Sequence, residues 1–155
     1  MLFLSNGRSC QVKFGYQLNL FPAKLINCSM TKVTSQEIAQ LQTELSDYPD
    51  ALAALKEIEE CEGDIEDAAM VLAIRVGQQP DIANSEWLPS LAKKCRAVIC
   101  QQQFRSALAS GSFAPVIERL TATKLCPALL VIPVVLYVVK QNVDAFCQPL
   151  DDTVL

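Results

Sequence analysis

The sequence predicts an all-α protein, and three observations support that prediction. Apolar residues recur at three- and four-residue steps in successive stretches after residue 33, which is typical of amphipathic helices. Residues that favour helix starts and helix ends separate those stretches. Of 155 residues, 51% are apolar and 19% charged, so the chain is suited to bury a core rather than stay disordered.

The first predicted helix covers roughly 35–47. It begins at the T-S-Q-E motif of residues 34–37, a capping box in which the hydroxyl caps backbone amides and the glutamate reaches back. A turn at 47–50 follows, where Pro49 is well placed to start the next helix. The apolar face of the first helix is Ile38, Leu41 and Leu45.

Two more helices are predicted at roughly 50–61 and 65–76. Gly63 is expected to end the second helix, because glycine tolerates the left-handed conformation after a helix C-terminus. Asp64 is expected to cap the third helix, and Gly77 to close it. The apolar positions of this pair are Leu52, Leu55, Ile58, Ile65, Ala69, Leu72 and Val76.

A linker is predicted at 78–84, followed by a helical apolar unit over 85–147. The first helix of this unit is expected to be one long element over 85–109. Ser85 is expected to cap it, and Pro89 is tolerated in the first turn. Gly111 should break it, and Ser112 should cap a short helix. The apolar positions are Trp87, Leu88, Leu91, Cys95, Val98, Ile99, Phe104 and Leu108, then Val116, Ile117 and Leu120.

Residues 125–139 form a run without charge that contains Pro127 and Pro133. A spanning helix needs about 20 apolar residues, so the favoured interpretation is a core helix covered on all sides. A membrane-embedded segment and a buried strand are the alternatives. The polar residues 148–155 are expected to be a mobile tail.

Residues 1–29 differ from the rest in having no acidic residue. Apolar residues alternate with other residues over 12–20, which is typical of a strand. The composition of the segment also fits a targeting peptide. The favoured interpretation is an extension without structure, with translation starting at Met30. We therefore expect this segment to be dispensable for the fold.

Charge is distributed unevenly along the chain. Residues 37–67 hold eleven acidic residues against one basic residue, whereas residues 85–145 hold three acidic and seven basic ones. The plain interpretation is a solvated face on each helix. The alternative is an electrostatic match, either within the molecule or with a partner. Glu59, Glu62 and Glu66 are expected to be exposed.

The stretch 51–74 resembles a ubiquitin-associated-like three-helix module. The resemblance rests on Leu52, on Ala54-Leu55, on the E-G-D-I-E-D-A-A motif of 62–69 and on Leu72, with 34–42 supplying the first helix. It implies a protein-docking unit over 30–77. In place of the family's glycine-aromatic loop the chain has S-D-Y-P at 46–49, where Tyr48 alone stands near the aromatic position. The predicted partner-binding residues are Tyr48, Glu59, Glu62, Gly63, Asp64, Glu66 and Trp87.

Residues 30–147 as a whole are also similar to a family of small cyanobacterial helical proteins, one associated with carboxysome shell assembly. Together these features predict a non-enzymatic, cytoplasmic protein that binds or assembles other proteins, with a shell protein as one partner. The alternative is a membrane-associated helper anchored through 125–139.

Several kinds of chemistry are disfavoured by composition. Histidine is absent, which removes the commonest general base and metal ligand. The seven cysteines show no C-x-x-C spacing, so we expect reduced, mostly buried thiols and no metal or other cofactor. A net charge of −4 argues against nucleic acid. The small basic run Lys93, Lys94, Arg96 and Arg105 is interpreted as a solvated face, with phosphate or anionic lipid as the alternative ligand.

Overall fold

The computed structural model describes residues 32–80 and 86–153. These ranges contain helices and no β-strand, only an isolated bridge between Lys32 and Asp64, so the fold is all-α as predicted. The helices are α1 Ser35–Glu44, α2 Pro49–Glu60, α3 Ile65–Arg75, α4 Trp87–Lys94, α5 Arg96–Ile99, α6 Gln102–Ala109, α7 Ala114–Thr123, α8 Ala128–Gln141 and α9 Val143–Thr153. The predicted 1–29 extension and most of the 78–84 linker lie outside the described residues.

Helix α8 is the centre of the core. It packs against α2, α3, α4, α7 and α9, because its residues 128–139 carry no charge and offer an apolar side chain in every direction. Its buried residues are Leu130, Val131, Ile132, Pro133, Val134, Val135, Leu136 and Val138. The prediction of a buried core helix is thus confirmed, and the alternative of a strand is wrong. Pro133 lies inside the helix rather than ending it.

No single helix within 32–80 or 86–153 has the length and apolar character needed to cross a membrane. Helices α8 and α9 satisfy that criterion only when taken together, and they are bent by 88° relative to each other. The bend is at Asn142, which has a φ of 81°. The Asn142 side chain accepts hydrogen bonds from the backbone N–H groups of Asp144 and Ala145, at 3.0 and 3.2 Å, and so caps the start of α9.

The capping box starts α1 as predicted. The Thr34 hydroxyl accepts from the Glu37 backbone N–H at 3.1 Å, and the Glu37 carboxylate accepts from the Thr34 N–H at 2.8 Å. The helix ends at Glu44, three residues before the predicted end. Buried residues of α1, α2 and α3 belong to the same hydrophobic cluster as those of α4 to α8, so the acidic and apolar halves share one core.

The predicted long helix over 85–109 is three helices. The chain breaks at Cys95 and again at Gln101, whose ψ of 141° is extended. The apolar positions explain the second break, because the step from Ile99 to Phe104 is five residues and is out of phase with a 3.6-residue turn. Two shorter helices can each direct their own apolar side chains into the core.

The C-terminal prediction also needs correction. Residues 148–153 belong to α9 rather than to a mobile tail. Cys147 on α9 forms a disulfide with Cys100, between α5 and α6, so the prediction that the thiols are reduced is wrong for this pair. The expected burial is confirmed for the five cysteines within the described residues, of which Cys61, Cys95 and Cys126 are free thiols. Cys10 and Cys28 lie outside the described residues. Pairing over 47 residues cannot be read from cysteine spacing.

Candidate functional site

Three exposed glutamates stand together where α2 turns into α3. Glu59 and Glu60 are the last two residues of α2, and Glu62 lies in the turn. We call these three residues the acidic corner. None of them forms an ion pair with a residue in the ranges that the structure describes, so their charges face solvent.

The turn that holds the acidic corner is a Schellman motif. The Glu62 N–H donates to the Glu59 carbonyl at 3.0 Å, and the Gly63 N–H donates to the Ile58 carbonyl at 2.8 Å. Glu62 therefore occupies the first left-handed position after the helix, with a φ of 58°. Glycine was expected in that role, but Gly63 comes one residue later. The backbone hydrogen bonds fix the direction in which Glu62 leaves the turn.

Gly63 and Asp64, both predicted to bind a partner, have structural roles. A β-carbon on Gly63 would lie 2.2 Å from the Val33 carbonyl oxygen, while the Val33 N–H donates to the Gly63 carbonyl at 2.9 Å. Asp64 is only 2% exposed, and its carboxylate accepts from the Asp67 N–H at 3.0 Å as the cap of α3. These two residues build the corner but present little surface to a partner.

Beneath the corner lies a buried carboxylate. Glu57 is 9% exposed and pairs with Arg75 of α3 at 2.6 Å. Burial, with the neighbouring carboxylates of Glu57, Asp67, Asp64 and Glu60, raises the pKa of Cys61 to about 12. The Cys61 thiol is therefore protonated at neutral pH and is a poor nucleophile.

Acidic residues of α1 have partners within the molecule. Lys140 of α8 contacts the Glu37 carboxylate at 3.0 Å. Glu44 accepts from the backbone N–H groups of Phe113 and Ala114 at 2.6 and 3.1 Å. The intramolecular match considered from charge distribution thus exists at α1, while the acidic corner takes no part in it within the part of the chain that the structure describes.

Two predicted residues, Tyr48 and Trp87, do not join the acidic corner. Tyr48 precedes α2 at the end opposite Glu59, roughly 16 Å away along the axis. Its hydroxyl donates to Glu118 of α7. Trp87 begins α4 and is half-buried against the core. The predicted set is therefore not one site.

Glu66 differs from the expected exposure. It is half-buried near the start of α3. Burial, with the carboxylates of Glu66 and Glu86 nearby, raises the pKa of the Tyr137 phenol on α8. Glu66 therefore lies close enough to α8 to act electrostatically on the core, and we leave it out of the acidic corner.

A second feature, a small pocket beside α8, was missed at the sequence level. Its volume is about 200 Å³, and its lining is Pro89, Lys93, Arg96, Tyr137, Gln141, Ala145 and Phe146. The basic run was visible in the sequence, but the residues that complete the pocket lie on α8 and α9. Phe146 lies inside the predicted unit 85–147, but no local pattern in the sequence indicates that it faces Arg96.

Buried thiols add a third feature. Cys95 and Cys126 are hydrogen-bonded to each other in the core, and this contact, with burial, raises the pKa of Cys126. Within the described ranges, no group of three or more Cys, Asp or Glu side chains is arranged to hold a metal ion. When the chain is compared with known proteins, no protein-family model, no curated protein and no solved structure matches it.

Proposed function

We propose that this protein is a non-enzymatic interaction factor that binds a basic surface of another protein through its acidic corner. The observation that carries the proposal is the contrast between two sets of acids. Glu37 and Glu44 of α1 are used inside the molecule, whereas Glu59, Glu60 and Glu62 are exposed and form no ion pair with a described residue.

The arrangement favours recognition over simple solubility. The backbone of the corner is fixed by the Schellman hydrogen bonds and by the close contact of Gly63 with Val33, so the segment that carries the three glutamates is ordered before a partner arrives. Binding then costs less ordering entropy than it would for a flexible acidic loop. Charges at the rim of an interface chiefly set the association rate and the choice of partner, and salt screens them.

A catalytic role has less support. The chain contains no histidine, and the thiol nearest to the acidic corner, Cys61, is held protonated. The resemblance to small cyanobacterial helical proteins makes a carboxysome shell protein one partner to test. The acidic corner itself requires only that the partner present a basic surface. Packing does not favour the alternative of a membrane anchor at 125–139, since most of that run is buried against other helices.

The test compares two double variants with equal changes in charge. Glu59→Lys/Glu62→Lys alters the corner, while Asp47→Lys/Asp152→Lys reverses two exposed acids elsewhere. Immobilised parent and variant proteins are incubated with cell extract at low and at high salt, and captured proteins are quantified by mass spectrometry. Glu59 and Asp152 lie in helices, where lysine is a good helix former, and Glu62 and Asp47 lie in turns. Circular dichroism should therefore show the same helical content in all three proteins.

We expect the parent and the control variant to capture the same proteins at low salt, and the corner variant to lose them. Raising the salt should reduce the difference between the parent and the corner variant, because screening weakens the charge contribution. Equal capture by the corner variant and the parent at low salt would contradict the proposal. Equal loss in both variants would also contradict it, since net charge rather than the corner would then govern capture.

A further inference from the structure

The pocket beside α8 combines apolar walls with positive charge. Pro89 and Lys93 come from α4, Arg96 from α5, Tyr137 and Gln141 from α8, and Ala145 and Phe146 from α9. Four helices therefore meet around it. Because each wall belongs to a helix packed on the core, the shape of the pocket is set by the fold rather than by a loop.

Arg96 is the more buried of the two positively charged residues in this pocket. Its guanidinium carbon lies 4.6 Å from the centroid of the Phe146 ring, and stacking on that ring holds the planar group in place. Its Nε is buried and has no hydrogen-bond partner among the described residues. Because Nε is inaccessible, the terminal Nη groups are the donors that Arg96 can offer to a molecule in the pocket.

Nearby acids in the described residues do not form an ion pair with the Arg96 guanidinium. Asp144, next to Ala145 on α9, pairs with Arg105 at 2.9 Å. Glu66 and Glu86 act on Tyr137 from the side of α3 and of the α4 start. Neither Lys93 nor Arg96 forms an ion pair with a described residue. The pocket therefore has two positive charges available on its α4–α5 side.

We propose that this pocket binds a small monocarboxylate with an apolar body. The two terminal Nη groups of an arginine form a fork that matches the two oxygens of a carboxylate. Lys93, which is exposed, adds charge at the mouth, and the apolar body lies against Phe146 and Tyr137. The volume of about 200 Å³ is below the usual range of drug-sized pockets, so the body is about the size of a single ring.

The test titrates the full chain with benzoate and follows backbone amide shifts by NMR. We expect saturable shifts at amides of α4, α5 and α9, with a dissociation constant on the order of 1 mM for so small a ligand. Benzyl alcohol, of similar size but neutral, should bind at least tenfold more weakly. Equal binding of the alcohol would overturn the role of charge, and tighter binding of inorganic phosphate would overturn the carboxylate assignment.

Variants separate the pocket from general electrostatics. Arg96→Gln should weaken benzoate binding at least tenfold and Lys93→Gln about threefold. Arg119→Gln, an exposed arginine on α7, should leave binding unchanged. Ala145→Leu fills the pocket while keeping both charges, and it should abolish binding even if Arg96→Gln proves unstable. Normal benzoate binding by Ala145→Leu would overturn the proposal.

Discussion

Glu44, at the end of α1, caps helix α7 by accepting the Phe113 backbone N–H at 2.6 Å. The same oxygen accepts the Ala114 N–H at 3.1 Å. Ser112 was predicted to cap this helix, but the structure places Phe113 at the N-cap, without a side-chain cap of its own. A carboxylate from a helix distant in sequence supplies the missing acceptor and a charge that suits the positive end of the helix dipole.

Removing this cap should destabilise the protein. Glu44→Ala leaves two backbone donors of α7 without their acceptor, and we expect a loss of about 1–2 kcal/mol in the free energy of unfolding. Glu44→Gln keeps an acceptor without the charge and should cost roughly half as much. Urea denaturation measures both, with the exposed Gln40→Ala as the control. Unchanged stability in Glu44→Ala would mean that water replaces the carboxylate at no cost.

Gly63 and Gly77 provide a matched pair for the close contact with Val33. Their φ values are nearly equal, at 85° and 81°, but only at Gly63 would a β-carbon meet the Val33 oxygen. Gly77→Ala should therefore cost about 1 kcal/mol from backbone strain alone. Gly63→Ala should cost roughly 3 kcal/mol, because the backbone of Val33 must also move. Equal losses in chemical denaturation would rule out the close approach.

Stability at acidic pH should depend on Glu37. Burial alone would raise the pKa of Glu37, but the Thr34 hydrogen bonds and Lys140 outweigh it and hold that pKa below its ordinary value of 4.5. A lowered carboxyl pKa contributes stability that is present above the unfolded value and lost as the pH falls through the folded value. The difference in thermal midpoint between the parent and Glu37→Gln should therefore shrink from about pH 6 to about pH 3. A constant difference over that range would refute this assignment.

The disulfide between Cys100 and Cys147 should be a major source of stability. A cross-link that closes a loop of 47 residues restricts the unfolded chain and is worth up to about 4 kcal/mol. We expect Cys100→Ala/Cys147→Ala to lose about 2–4 kcal/mol in the free energy of unfolding. Dithiothreitol should lower the free energy of unfolding of the parent protein by a similar amount. A parent whose melting is insensitive to dithiothreitol would contradict this.

The disulfide between Cys100 and Cys147 also bears on the cellular compartment of the protein. Disulfides persist mainly in oxidising compartments, whereas the sequence prediction was cytoplasmic. Alkylation of thiols in intact cells, followed by mass spectrometry of the peptides around Cys100 and Cys147, would distinguish the two. Full alkylation of both cysteines would favour the cytoplasmic prediction.

Local signals were sufficient for much of the fold. The Thr34–Glu37 capping box, the Asp64 cap and the burial of α8 depend on residues close in sequence or on uniform apolarity, and all three predictions are confirmed. The failures involve distant partners. Nothing near Phe113 shows that Glu44 caps α7, and nothing near Cys100 shows that it pairs with Cys147.

In the candidate site too, local features could be predicted from the sequence and contacts between distant residues could not. The exposed acids of α2 were visible as a charge bias, but their separation from the α1 acids required the positions of Lys140 and Phe113. The predicted set also included Tyr48 and Trp87, which the structure separates from the acidic corner. The pocket beside α8 combines residues from four helices, and no local pattern links Arg96 to Phe146.

The central position of α8 has a consequence for biosynthesis. Helices α2 and α3 bury apolar side chains against α8, yet α4 to α7 are translated before it. During synthesis the N-terminal helices therefore wait, with their inner faces uncovered, until nearly the whole chain has left the ribosome. Contacts between such distant segments slow folding and prolong the exposure of apolar surface. A nascent chain stalled before residue 128 should accordingly be sensitive to protease and bound by chaperones, and resistance should appear only once α8 has emerged.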